Sequence, residues 1–273
     1  MINQSRLIGL LSLLAVLVLL LSCASSGASQ TRSTAVSHLN CKQQTSTPDK
    51  NGSCSVKLLV FSKTAAFRHA SIKDGIAAIK KLAAENNVAA DFTENASVFT
   101  DANLNQYNAV VFLLTSGDVL DDSQQVAFER YMRSGGGYVG VHSASDTEHK
   151  WLWYGKLVGA YFYTHPHTQQ ATIDVIDSSH PSTSMLPKRW VRFDEWYNFA
   201  TNPRGSVHVL MTLYETTYKG GTMGKFHPIA WYHEYDGGRA WYTALGHTSE
   251  SYTEPLFLAH LWGGIMYAAG FEK

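Results

Sequence analysis

Gly135–Trp151 reads GGGYVGVHSASDTEHKW. Three glycines stop the element before them, Tyr138–Val141 make a short apolar run of strand length, and a polar loop then enters an aromatic-rich helix. In open α/β proteins the loop after such a strand lies at the ligand-binding edge of the sheet. Related folds carry cysteine or serine there, whereas this chain offers His142.

The flanking sequence agrees with such a sheet. Upstream, DDSQQVAFERYMRSGGG opens with Asp and Ser caps, sets Val126, Tyr131 and Met132 on one stripe, and ends in glycines, as a helix does. NAVVFLL (Asn108–Leu114), AADFT and VKLLVFS (Val56–Ser62) read as three further strands, the last an unbroken apolar run suited to a parallel strand covered on both faces. Between the first two strands of the chain, Ser71 as N-cap with Asp74 three residues on introduces a helix, with Ile72, Ile76, Ile79 and Ala83 at helical spacing. Downstream, ATIDVID, VHVLMTL, PIAWYHE and AWYTALG are strand-like. DGG joins the last two as a hairpin, and EPLFLAHLWGGIMYAAG closes as an amphipathic helix. The order predicts a flavodoxin-like, open, mostly parallel sheet with helices on both faces, in a single domain over residues 55–273.

The 22 basic and 22 acidic residues balance, so nothing favours a phosphate-neutralising surface, and nucleic acid is not an expected partner. No Gly-x-Gly-x-x-Gly run or phosphate loop supports a nucleotide cofactor. Arg6 precedes LIGLLSLLAVLVLLLSC, read as a lipoprotein-type signal peptide over residues 1–22. Leu20–Cys23 resembles a lipobox that would leave Cys23 lipidated. This predicts an exported, periplasmic protein, anchored at the outer membrane and touching membrane solely through its lipid. Residues 23–54, rich in Ser, Thr, Gln and Lys, read as a flexible tether. Cys41 and Cys54 are either a disulfide or two free thiols. The oligomeric state is not legible.

Ligands of open α/β sheets bind outside the carboxyl ends of the strands. The residues that follow the predicted strands are Arg68 and His69; Thr115, Ser116 and Asp118; His142, Ser143 and Asp146; and His247 with Thr248 and Ser249. A lone histidine at a strand end is usually a satisfied core or loop residue. Three on one edge, His69, His142 and His247, are harder to explain as filling. GAYFYTHPHT brings His165 and His167, and RFDEWYNF brings Asp194 and Glu195, whose side chains point to opposite faces of an extended chain. Only one of the two can face a given site: Glu195 is assigned to chemistry and Asp194 to a hydrogen-bonded structural role, with the reverse assignment as the alternative. His165 and His227 precede prolines and also read as turn starts. Arg239 is either a buried structural cation or a ligand for hydroxyls and oxyanions. Trp151, Trp153, Tyr154 and Tyr161 are either core or a sugar platform, and His149, His180 and His208 are read as solvent or turn residues.

A neutral imidazole at position 142 is a proton acceptor or metal ligand rather than a durable nucleophile, which disfavours acyl transfer through a covalent intermediate. Histidines with one carboxylate can hold zinc or a similar divalent cation, the candidate ligands being His69, His142 and His247, although no HExxH pair is present. Without a metal, His and Glu serve as base and acid on a sugar carbon next to a carbonyl.

FRHASI, GGGYVGVHSASDTEHKWLWYGKLVGAYFYTHP, DSSHPSTSMLP, FDEWYNF and HPIAWYHEYDGGRAWYTALGHTSESY together resemble the ThuA-like (trehalose utilisation) family, from about Val56 to the C-terminus. The resemblance implies a class I glutamine amidotransferase-like fold without the amidotransferase cysteine, and a role in carbohydrate catabolism on a glucoside or 3-keto-glycoside. His69, His142, His165, Glu195, Arg239 and His247 match the family's polar motifs. The expected arrangement has His142 and Glu195 as the proton-transfer pair. Arg68, His69, Asp146, His165, Arg239 and His247 would bind a small carbohydrate. The alternative is a non-catalytic sugar-binding surface lipoprotein, which needs the aromatic residues near Trp151 exposed at the cleft.

Overall fold

The computed structural model describes residues 55–271, so the signal peptide, Cys23, the tether and the Cys41–Cys54 pair lie outside the described residues. In chain order the elements are β1 (Lys57–Phe61), α1 (Ile72–Glu85), β2 (Ala89–Thr93), α2 (Asp101–Leu104), β3 (Ala109–Leu113), α3 (Asp122–Arg133), β4 (Gly137–Val141), α4 (Leu152–Val158) and β5 (Phe162–Thr164). They continue with β6 (Gln169–Val175), β7 (Arg189–Asp194), β8 (Asn198–Phe199), β9 (His208–Leu213), β10 (His227–Tyr235), β11 (Gly238–Thr243) and α5 (Pro255–Ala268).

Nine strands form one sheet in the order β2-β1-β3-β4-β11-β10-β9-β6-β7, and β5 pairs with β8 apart from it. The first five are parallel, in flavodoxin order, which is why β3 and β4 are apolar along their whole length: helices cover both faces. β10 and β6 run against the other seven strands, so the sheet is mostly parallel in direction while its far side pairs antiparallel. Phe112 of β3 sits in a ring of Phe61, Phe99, Phe128, Tyr138 and Tyr154 on the side of α3 and α4. On the opposite side Gly264 of α5 lies against the Trp241 ring and Gly75 of α1 against Leu113.

The glycines before β4 have separate causes. Gly135 ends α3 with φ +94, a left-handed conformation that favours glycine. Gly137 must lack a side chain because a Cβ there would stand 2.1 Å from the Ala268 carbonyl oxygen. Asp121 forms the full capping box of α3 with Gln124. The buried stripe of α3 is Ala127, Phe128, Tyr131 and Met132, so Val126 is corrected to an exposed position. Ser71 makes no side-chain cap on α1; its hydroxyl donates instead to the His247 carbonyl at 2.7 Å, because the loop after β11 folds over that helix start. β5, β7 and β8 are short or edge elements that periodicity did not single out. No described helix is long and apolar enough to cross a membrane.

Candidate functional site

Four loops at the carboxyl edge of the parallel strands converge. His69 follows β1, His142 follows β4, His247 follows β11, and Glu195 follows β7. The donor atoms of these four residues all lie within 4.8 Å of one another.

His142 leaves β4 with φ +52, an uncommon conformation for a residue with a Cβ. The sharp turn projects its ring over the strand end, where it is fully buried. Its Nδ1–H donates to the Ala244 carbonyl at 2.7 Å, so Nε2 is the ring nitrogen that faces the cluster. Nε2 stands 3.3 Å from Glu195 Oε2 and 3.3 Å from His247 Nδ1, and that Nδ1 is 3.2 Å from Glu195 Oε2. The other carboxylate oxygen, Oε1, is 3.0 Å from His165 Nδ1. The His69 ring packs edge-on against both His142 and His247, and its Nδ1 meets the Ser143 hydroxyl at 3.3 Å.

The charges follow from these contacts. Burial opposes ionisation of Glu195, but hydrogen bonds and charge from His142 and His247 outweigh it and hold the carboxyl below the usual carboxylate range. Burial also works against a charged His247, yet the Glu195 carboxylate raises its pKa above the ordinary histidine value. Burial lowers His69 to about 3, with His142 and His247 adding to the effect, so His69 is neutral at physiological pH. The side chains of His247 and His165 are 26% and 44% exposed, which marks the way in from solvent. An open cleft of about 520 Å³ lined by His165, Pro166, His167, Gln169, Lys219 and Gly220 borders this entrance.

Asp194 turns away from its neighbour, as alternation along β7 requires. Fully buried, it accepts the backbone N–H groups of Glu195 (2.9 Å), Gly246 (3.0 Å) and His247 (3.1 Å) and pairs with Arg192 at 3.2 Å. It thereby ties the Glu195 backbone to the His247 loop.

Other residues expected at the site lie elsewhere. Arg239 is the second residue of β11, which runs parallel to β4, so it sits at the amino edge of the sheet, opposite His142. There it donates to the carbonyls of Ala268 and Gly135, the structural cation of the two alternatives. Arg68 points outward into a two-pronged pair with Glu94. Asp146 is held by His149 at 2.8 Å and is not among the four grouped donors. Tyr154 is fully buried, and Trp151 and Trp153 are half-buried against the core, their indoles donating to Glu129 and Asp236. His180 is buried rather than solvent-facing, between Tyr232 and Tyr267. His227 begins a strand rather than a turn, buried between Glu215 (2.8 Å) and the Tyr197 carbonyl (2.7 Å).

Sequence reasoning missed Tyr197 and Phe67. Tyr197 stacks on His142 at 4.2 Å, and its place two residues after Glu195 in extended chain was the available signal. Phe67, an exposed ring edge-on to His69 at 4.8 Å, gave no signal beyond its neighbours.

The family model ThuA, described as trehalose utilisation, matches residues 57–268. No curated protein matches the chain significantly. Among solved structures, a ThuA-like protein of Bacteroides uniformis is 27% identical with a TM-score of 0.67, covering 78% of this chain and 91% of its own. One from Parabacteroides merdae, at 20% identity and a TM-score of 0.68, covers 80% and 92%, a likeness of fold. A β-galactosidase of Bacillus circulans also shares the fold alone, at 13% identity and a TM-score of 0.51, over 80% of this chain and 31% of the enzyme.

Proposed function

Because this chain belongs to the ThuA (trehalose utilisation) family, we propose that it is an enzyme of carbohydrate catabolism acting on a glucoside or 3-keto-glycoside at the centre built around Glu195. Family membership gives the coarser statement, a carbohydrate-related role. The finer one rests on a single observation: a buried carboxylate within 3.0–3.3 Å of three imidazoles from separate loops, at the ligand-binding edge of the sheet.

The arrangement supplies a carboxylate held ionised, a neutral ring in His69, the Nε2 of His142 directed inward, and an imidazole opening to solvent, His247, whose pKa the carboxylate raises. These are the parts needed to take a proton from a sugar carbon beside a carbonyl and return one to a leaving oxygen. His142 and Glu195 are the proton-handling pair, His165 and His247 receive the sugar at the mouth, and the cleft beyond His165 accommodates the second sugar or aglycone. Of the aromatic side chains near Trp151 that a purely sugar-binding surface would need, Tyr154 is fully buried and Trp151, Trp153 and Tyr161 are half-buried against the core, which favours catalysis over that alternative. Export as a lipid-anchored periplasmic protein belongs to the same proposal and is supported by the Leu20–Cys23 motif.

The test is turnover of native and 3-oxidised disaccharides by the purified protein. His142→Ala should lower turnover of the responding substrate by about 10²–10⁴-fold, the range for loss of a positioned proton-transfer group, with the fold intact by circular dichroism. Undiminished turnover would defeat the assignment.

A further inference from the structure

We propose that His142 Nε2, His247 Nδ1 and Glu195 Oε2 are three ligands of a tetrahedral divalent cation, of which Zn²⁺ is the best fit, with a fourth position open to water or a sugar oxygen. The inference deepens the functional reading and rests on the same cluster as reaction centre.

The separations carry the argument. The three atoms form a nearly equilateral triangle with sides of 3.3, 3.3 and 3.2 Å. Metal–ligand bonds of about 2.0–2.1 Å in tetrahedral geometry give ligand–ligand edges of about 3.3–3.4 Å, and the same bonds at right angles give about 2.8–3.0 Å. The triangle matches a tetrahedral face. Charge-assisted hydrogen bonds between imidazolium and carboxylate are shorter, about 2.7–2.9 Å. The molecule itself supplies the contrast: His227–Glu215 and His149–Asp146, pairs joined by one proton, are both 2.8 Å apart.

The surroundings are those of a ligand set. The second nitrogen of His142 is committed to the Ala244 carbonyl, which fixes the tautomer that leaves Nε2 free to ligate. Asp194 clamps the backbones of Glu195 and His247, and the Ser71 hydroxyl holds the His247 carbonyl. His69 stands beside the triangle, within 4.8 Å of the other donors. Two imidazoles and one carboxylate with an open position are the donor set of a catalytic zinc, whose fourth site takes water or polarises a carbonyl. A ketone or hydroxyl oxygen of an oxidised sugar, entering past His165, fits that site. With the cation bound, Glu195 and His142 would serve as its ligands in place of the direct proton transfer assigned to them above, and His165, 3.0 Å from the other carboxylate oxygen, would be the imidazole left facing the opening.

The experiment uses the full-length protein, stripped with a chelator, reloaded with Zn²⁺ and analysed for metal by mass spectrometry, with affinity read by competition against a zinc-sensitive dye. One equivalent per chain is expected. His142→Ala and the near-isosteric Glu195→Gln should each weaken binding by more than the roughly 10–100-fold that loss of an outer-shell partner costs. His208→Ala, which removes an exposed imidazole outside the cluster, should leave stoichiometry and affinity unchanged. Co²⁺ in place of Zn²⁺ should give the strong visible bands of a four-coordinate site. Failure of the wild-type chain to retain zinc, or retention unaltered in both ligand variants, overturns the proposal. The two readings fail separately. A zinc-loaded protein that turns over no sugar defeats the enzyme, and sugar turnover by metal-free protein defeats the site.

Discussion

Asp194 and Glu195 are adjacent carboxylates whose removal should have opposite signatures. In Asp194→Asn one oxygen becomes an NH₂ group. Either orientation of the amide turns a donor toward backbone N–H groups: toward Glu195 and His247 if it replaces Oδ1, toward Gly246 if it replaces Oδ2. Arg192 also loses its nearest counter-ion in a place where its Nε and Nη1 already have no hydrogen-bond partner, and Glu254 at 3.3 Å compensates only in part. Breaking a buried ion pair from one side costs about 3–5 kcal/mol. For a domain of this size that lowers Tm by roughly 6–20 °C. Glu195→Gln removes a charge beside the solvent opening and leaves the backbone clamp intact, so its Tm should fall less while turnover of the responding sugar collapses. Calorimetry or thermal circular dichroism on both variants, paired with the turnover assay, reads the contrast. If Asp194→Asn melted within about 2 °C of the parent, or if Glu195→Gln were the less stable of the two, the division between a structural and a reactive carboxylate would be wrong.

Stability should decline as pH falls from 6.5 toward 4, because burial lowers His69 and His260 to about 3 and His180 to about 4, so the unfolded chain takes up their protons first. Three such groups give a slope of at most about 4 kcal/mol per pH unit; a urea midpoint that is flat across this range would contradict their neutral burial. Glu195, with its depressed pKa, adds a loss only below the ordinary carboxylate range, whereas the contribution of His247, whose pKa is raised, disappears as pH rises through its folded value. Arg239→Ala should leave sugar turnover unchanged and cost about 1–3 kcal/mol for two charged hydrogen bonds at the amino edge, measured by denaturant titration; a selective loss of turnover would return Arg239 to the site. Gly137→Ala should destabilise by about 1–3 kcal/mol or more, since a backbone carbonyl cannot yield to the added Cβ, and an unchanged melting curve would mean that α5 can shift away from β4.

Local chemistry made much of this molecule legible from the chain alone. Continuous apolar runs gave β1, β3 and β4 because strands covered on both faces have no polar side to alternate with. Period-two geometry sets Asp194 and Glu195 on opposite faces, because adjacent residues in extended chain must face opposite ways, although it does not say which of them faces the site. The rule that ligands meet strand ends picked out His69, His142 and His247, since that edge is set by strand direction, which the order of elements fixes.

Tertiary structure decided the rest. Arg239 adjoins the same strand as His247, yet β11 carries the two to opposite edges of the sheet, and the direction of a hairpin's second strand depends on where its partner inserts. His149 pairs with Asp146 and His165 with Glu195, partners that the sequence alone does not assign. Above all, the triangle of His142, Glu195 and His247 joins loops that share no local pattern, and tenths of an ångström separate a proton-sharing pair from the face of a metal site. Such distances are set by the packing of the nine-stranded sheet and the Asp194 clamp, which no periodicity in the chain encodes.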